Sequence, residues 1–450
     1  MSLRARADAA SVDPSVPVVV LGVHHGSMGI ARSLGRLGIS TYNVAGDPRH
    51  PASFSRYWRQ ACEWDLDKAS GTETVDFLES LARRIGGRAI LIPTTDASSL
   101  FVAEHADALA NRFRFPRVPA ELVRSFSDKR QLFHLARRLG IPTPSVVFPR
   151  SADDVHQFLA SAVFPVVLKG IDGTRLQARH GKKMVIVHSE RELRDRYAEL
   201  EDPNAPNLML QEYIPGGDDT IWMFNGYFTA ASQCVAAFTG KKLRQYPVHT
   251  GATSLGISLR NETVETLTTA FMREVGYRGI LDIGYRYDAR DGSYKLLDPN
   301  PRIGSTFRLF VDANGMDVVR FLYLDMTGQP LPAVAPREGR KWIVEDQDFD
   351  ACLDYRREGQ LTARDWIHSL RGIDEAAWFA RDDMRPFWRM SGRLARRVLR
   401  WVMRHAATAV GRVRSGGTAR WASHWSQLWV RGTPPRSPRV PSDSSSKSGP

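Results

Sequence analysis

Cysteine is scarce in this chain: Cys62, Cys234 and Cys352 are the three it has in 450 residues. An odd number at such wide spacing excludes a disulfide framework and a cysteine-built zinc cluster, and points to a reducing cytoplasm. Long apolar runs are also missing. No stretch of 18 or more apolar residues occurs, so no membrane-spanning helix is expected. The N-terminal stretch carries Arg4 and Arg6 without the apolar core of a secretory signal. A strict dinucleotide fingerprint is absent too. Gly22, Gly26 and Gly29 follow the apolar run VVVL but do not keep the G-x-G-x-x-G spacing, although Asp47 lies near where a ribose-binding acid would fall. Tight-turn glycines are the preferred reading, with His24 and His25 as polar lining of a loop or cleft.

Acidic residues are nearly missing from the C-terminal end. Residues 385–450 hold 14 of the 62 Lys and Arg and one of the 49 Asp and Glu, Asp443, which leaves 48 of each sign in residues 1–384. The body is therefore neutral and the tail carries the whole net charge of +13. What remains is ordinary: 42% hydrophobic and 25% charged residues describe a soluble globular protein long enough for two or three domains.

Strand and helix patterns alternate at the start. VVVL at 18–21, a helix from about 30 to a glycine at 38, and TYNV at 41–44 make a β-α-β unit, and AILI at 89–92 with a following helix extends it. That alternation predicts a parallel sheet over residues 16–115. Residues 127–140 read as a capped helix ending at Gly140, FPVVLK at 164–169 as a buried strand, and 170–181 as a loop. Antiparallel strands follow over 220–238, with a hairpin over 279–298. Residues 328–384 read as a proline-marked linker and a small unclassified region.

The most informative segment is LLDPNPR at 296–302. Side chains two apart on a strand share a face, so Asp298, Asn300 and Arg302 are expected to converge. Oxygen ligands of this kind suit Mg²⁺, which takes one or two protein groups and completes its shell from phosphates. The arginine adds a planar fork for phosphate or carboxylate. Upstream lie Lys129 in SDK, Lys169 ending the FPVVLK strand, QEYI at 211–214 running into a turn, and the acidic pair Asp218 and Asp219.

In this order the pieces resemble the ATP-grasp superfamily of ATP-dependent carboxylate ligases, over roughly residues 115–325. The resemblance implies an α/β and α+β architecture: a Rossmann-like domain (16–115) and a two-lobed ATP-grasp domain (116–327). Composition and charge add a linker and accessory region (328–384), a basic helical segment (385–431) and a disordered end (432–450). It implies ATP and Mg²⁺, or Mn²⁺ in its place, as cofactors, and a reaction in which ATP activates a carboxylate as an acylphosphate that an amine then attacks. By the same resemblance Lys129 and Lys169 contact phosphates, Lys169 and Arg302 take part in catalysis, and Gln211, Glu212, Tyr213 and Ile214 form the adenine hinge. Asp219 takes the ribose, with Asp218 as rival. Asp282, Asp298 and Asn300 bind the metal. Asp298 stands where the family usually has glutamate, and Gly284 where a second acid is more familiar. Arg308 and His249 are candidates for the substrate cleft, with a structural ion pair as the other reading of Arg308. Carboxylation, phosphoryl transfer without ligation, or a non-catalytic nucleotide sensor are the alternatives.

Between Arg389 and Arg404 the arginines fall within roughly a 100° arc at helical spacing, with aliphatic and aromatic residues opposite. Trp421, Trp425 and Trp429 recur farther on. Two readings stay open: contact with an anionic membrane surface through 386–431, at the inner face of the membrane, or docking of the apolar side on the body. No recognition motif accompanies the charge, so nucleic acid is not expected. The oligomeric state is not legible.

Overall fold

The computed structural model describes residues 12–414. The tryptophans at 421, 425 and 429 and the Pro/Ser-rich end lie outside the described residues. Three sheets organise the body. In the first, β1 (Val18–Leu21), β2 (Thr41–Ala45), β3 (Trp58–Glu63), β4 (Ala89–Pro93) and β5 (Phe113–Arg114) lie in the order β3-β2-β1-β4-β5, all parallel. The helices His25–Gly35, Gly71–Ile85 and Asp96–Glu104 intervene between its strands. The four residues of β1 are fully buried, as expected of a continuous apolar run in a parallel sheet.

The second sheet is small and antiparallel. Its strands β6 (Val146–Val147), β7 (Val166–Gly170), β8 (Met184–Val187) and β9 (Leu208–Glu212) run in the order β6-β9-β7-β8. Between β7 and β8 the stretch expected as a loop contains the helix Gly173–His180. Asp172 caps it by accepting from the amides of Thr174 and Arg175, and Gly181 ends it at φ +72°. Of the glycines that suggested a loop, Gly170 ends β7, and Gly173 and Gly181 sit at the helix ends, where they cost little.

The third sheet comprises β10 (Ile221–Phe228), β11 (Cys234–Tyr246), β12 (Ala252–Ser258), β13 (Gly279–Asp288), β14 (Ser293–Asn300), β15 (Lys341–Ile343) and β16 (Ile373–Ala376), in the order β14-β13-β10-β11-β12-β15-β16. It is antiparallel except for the last pair. Residues 341–376, unclassified from sequence, thus extend this sheet by two strands, with the helices Glu345–Arg357 and Ala363–Ser369 between them.

One core cluster joins the first and third sheets. Val18, Val20, Ile30 and Leu34 pack with Tyr227 of β10 and with Phe321 and Leu322 of the helix Val318–Thr327. Each side chain so buried contributes roughly 1.5–3 kcal/mol, which makes the two sheets hard to separate. The C-terminal helix Arg385–Arg414 runs from this body into a second compact unit that begins at Gly392.

Candidate active site

Lys129 opens the helix Lys129–Arg138, whose first amides are capped by the Asp128 carboxylate. Its own amide donates to the Ile171 carbonyl just past β7, at 3.3 Å, which fixes the helix start beside that strand. Lys169 is the fourth residue of β7 and is 7% exposed. Both ammonium groups reach one carboxylate: Lys129 is paired with Asp298, and Lys169 Nζ lies 3.4 Å from Asp298 Oδ1. Burial alone would raise the Asp298 carboxyl, but the two lysines outweigh it and hold the group well below the usual carboxylate range. Lys169 is pulled the other way, its burial and the nearby Lys129 lowering it against the attraction of Asp298.

The neighbouring strand supplies the rest. Asp282 of β13 faces Asn300 of β14 in register, and Gly284 faces Asp298. Asn300 Nδ2 donates to Asp282 Oδ2 at 3.2 Å. Burial raises the Asp282 carboxyl, partly offset by Arg302 and Lys242. The turn after β14 packs tightly here: a Cβ on Gly304 would sit 2.4 Å from the Asp282 carboxyl carbon. Arg302 lies beyond the strand end. It donates to Asn300 Oδ1 at 3.2 Å and to Asp96 at 2.6 Å, at the start of the helix that follows β4. Asp282, Asn300 and Arg302 are thus linked in one chain of contacts that reaches Asp96, while Asp298 meets the two lysines.

The QEYI segment leaves the second sheet at the end of β9. Gln211 and Glu212 are still in the strand, Ile214 is buried, and the Tyr213 ring lies 5.3 Å from the Arg286 guanidinium. The Glu212 side chain is engaged by the Ser145 amide at 2.9 Å, by Arg290 at 3.0 Å and by Lys295 at 3.3 Å, and its backbone amide donates to the Ser145 carbonyl at 2.9 Å. Asp219 is exposed, whereas Asp218 accepts from Gln245 Nε2 at 2.7 Å and from the Tyr355 hydroxyl.

No family model matches the chain. Over 245 residues it is 24% identical to the D-aspartate ligase of Enterococcus faecium (strain Aus0004), a match that covers 52% of this chain and 58% of that protein. The chain therefore spans little more than half the length of that curated relative. Its fold is similar to the L-amino acid ligase from Bacillus licheniformis, with a TM-score of 0.54 at 14% identity over 70% of this chain and 75% of the other. It is similar as well to the biotin carboxylase–β,γ-ATP complex from Campylobacter jejuni, with a TM-score of 0.56 at 16% identity over 71% and 72%. The chain shares the fold of these solved structures.

Within this fold the two substrate-cleft candidates are occupied by the protein itself. Arg308 is 8% exposed and donates to both oxygens of Glu375, at 2.9 and 2.7 Å, and to Asp317 at 2.5 Å. That is the ion-pair reading of Arg308, and it welds β16 to the body. His249 pairs with Glu358 at 2.7 Å. Arg175 and Arg179, which lie in the stretch expected as a loop, both pair with Asp202, at 2.7 and 2.9 Å.

The sequence reading missed Lys242. It lies half-buried on β11, donates to the Gly251 carbonyl at 2.8 Å and to Gln245 at 3.3 Å, and interacts with Asp218, Asp282 and Asp298. Burial lowers its ammonium to about 8 despite those acids. A lysine in the middle of a strand was the available signal. Among the described residues no group of three or more His, Cys, Asp or Glu forms a metal cage. Asp282, Asp298 and Asn300 nevertheless offer hard oxygen donors, and the buried Asn225 Oδ1, opposite Asp282 on β10, has no partner. Such a set fits Mg²⁺, which needs few protein ligands when phosphates complete its shell.

Proposed function

We propose that this chain is an ATP-dependent ligase that joins a carboxylate to an amine and releases ADP and phosphate. The observation that carries this reading is the meeting of Lys129, Lys169 and Asp298 at one point, one strand from Asp282. Without nucleotide, Asp298 neutralises two lysines that would otherwise repel each other. A triphosphate arriving with its cation would offer both sides a better partner: the ammonium groups would turn to phosphate oxygens, and Asp298, Asp282 and Asn300 would hold Mg²⁺. When bound, the metal neutralises charge on the phosphates as the terminal group moves.

The chain's residues supply position and charge. Lys129 and Lys169 hold the phosphates, the backbone of Gln211, Glu212, Tyr213 and Ile214 receives the adenine edge, and Asp219 the ribose. Arg302, steered by Asp96 and Asn300, orients the substrate carboxylate. A carboxylate oxygen attacks the γ-phosphorus and ADP leaves. The amine then attacks the acyl carbon, phosphate leaves and the amine gives up a proton to water. Preorganised cations at the developing charge are the principal source of rate. The amino-acid ligases among the similar proteins favour an amino acid as one substrate. Residues 16–115 we read as the Rossmann-like domain before the ATP-grasp part, and the three unpaired cysteines suit a cytoplasmic enzyme.

The test is ADP release from MgATP with pools of carboxylates and amino acids, read together with the mass of any conjugate. Lys169→Ala is expected to lower turnover on the order of 10²–10³-fold, the scale for losing one preorganised donor. Tight ATP binding without turnover in any pool would leave a nucleotide sensor, and ADP without conjugate a phosphoryl transferase.

A further inference from the structure

The helix Arg385–Arg414 has 30 residues, nine of them arginine and none acidic. The last acid before it is Asp383, and the next in the chain is Asp443. Its base is fixed in the body. Asp383 accepts from Arg32 at 2.9 Å, Ser55 at 2.6 Å and the Arg56 amide at 2.9 Å. Arg36 and Tyr57 hold Asp382, Met390 is buried, and the Arg389 guanidinium lies over the Phe54 ring at 4.2 Å.

Beyond that base the helix displays large apolar side chains to solvent. Val398 is 44%, Leu399 57% and Met403 54% exposed, and Trp388 in the first turns is 65% exposed. At about 100° per residue, Arg393, Arg396, Arg397 and Arg400 cover roughly a 100° arc, with Leu399 and Met403 on its flank and Val398 opposite. Charge alone would serve any polyanion. Charge interleaved with exposed Leu, Met and Val fits a surface that offers anionic headgroups above an apolar layer. Among the described residues no helix is long and apolar enough to cross a membrane, so the geometry is that of a helix lying in the interface.

We propose that the helix Arg385–Arg414 binds the surface of an anionic lipid bilayer, Arg393, Arg396, Arg397 and Arg400 on headgroups and Val398, Leu399 and Met403 in the acyl boundary. The test is sedimentation of the full chain with vesicles of phosphatidylcholine alone or with a minority of phosphatidylglycerol, at low and high salt. Binding is expected only with phosphatidylglycerol, and it should weaken with salt. Arg396→Gln, Arg397→Gln and Arg400→Gln combined should cost on the order of a hundredfold in affinity, from roughly 1 kcal/mol per arginine near the surface. Leu399→Asp with Met403→Asp should abolish binding although most of the positive charge remains. ATP binding by these variants reports that the body is folded. Equal binding to both vesicle types, no binding to either, or indifference to the aspartate variant overturns the proposal. Preference for duplex DNA over the anionic vesicles overturns it in favour of nucleic acid.

Discussion

A buried ammonium keeps its proton only while nearby acids offset the lost hydration. Lys242 has three such acids within range, Asp218, Asp282 and Asp298, and still falls to about 8. The sign follows directly: Lys242 is charged below that pH and neutral above it. If its charge helps hold the phosphates, kcat/KM for MgATP should fall as pH rises through about 8, because kcat/KM reports the free enzyme. Lys242→Arg, whose guanidinium does not titrate there, should move that alkaline limb up by more than a unit, while Lys242→Met should lower kcat/KM at every pH. An unchanged limb in the arginine variant would place the titration elsewhere. The contrast with Lys169 shows what a sequence carries. Lys169 ends an apolar strand, and Asp298 and Asn300 alternate within one motif, so local pattern was enough to anticipate their neighbourhood. Lys242 takes its meaning from residues on the turn before β10, from β13 and from β14. No local pattern brings those together.

At the scale of elements, the region 341–376 shows how a short strand escapes notice. β15 and β16 have three and four residues, too few for alternation to register. Their place in the sheet is set by buried ions. Arg244 of β11 makes a two-pronged pair with Asp348, at 2.9 and 2.8 Å, and Asp348 also accepts from Ser254 at 3.1 Å and Trp366 at 2.9 Å. Four donors converge on a carboxylate with no exposed surface. Removing one partner strands the other: Arg244→Met is expected to cost about 3–5 kcal/mol in urea unfolding, the range for breaking a buried pair. Replacing both, as Arg244→Met with Asp348→Leu, should cost less than the single arginine change, because no lone charge is left buried. If the double variant is the less stable, the network stabilises this extension by more than charge balance. The helix Gly173–His180 carries the complementary lesson. Three glycines in twelve residues suggest a loop, yet Gly170 ends β7, Gly173 opens the helix and Gly181 closes it, so none interrupts it.

For the whole molecule, the ion arrangement makes a prediction about stability. Lys129, Lys169 and Asp298 come from a helix, the second sheet and the third sheet, so nucleotide bound there engages elements far apart in the chain. A ligand that binds only the folded form stabilises it by RT ln(1 + [L]/Kd), about 2.7 kcal/mol at a hundredfold excess over Kd. MgATP should therefore raise the thermal midpoint. ATP with EDTA should raise it much less, since the triphosphate then meets Asp282 and Asp298 with no cation between them. Asp298→Asn separates the metal reading from a simple lysine site. It removes the negative charge that a bare triphosphate must face and also frees both lysines. The variant should bind ATP in EDTA better than the parent does, while gaining less from added Mg²⁺. A metal-dependent gap as wide in Asp298→Asn as in the parent would mean that Asp298 is a counter-ion to the lysines and nothing more. The cation would then rest on Asp282 and Asn300.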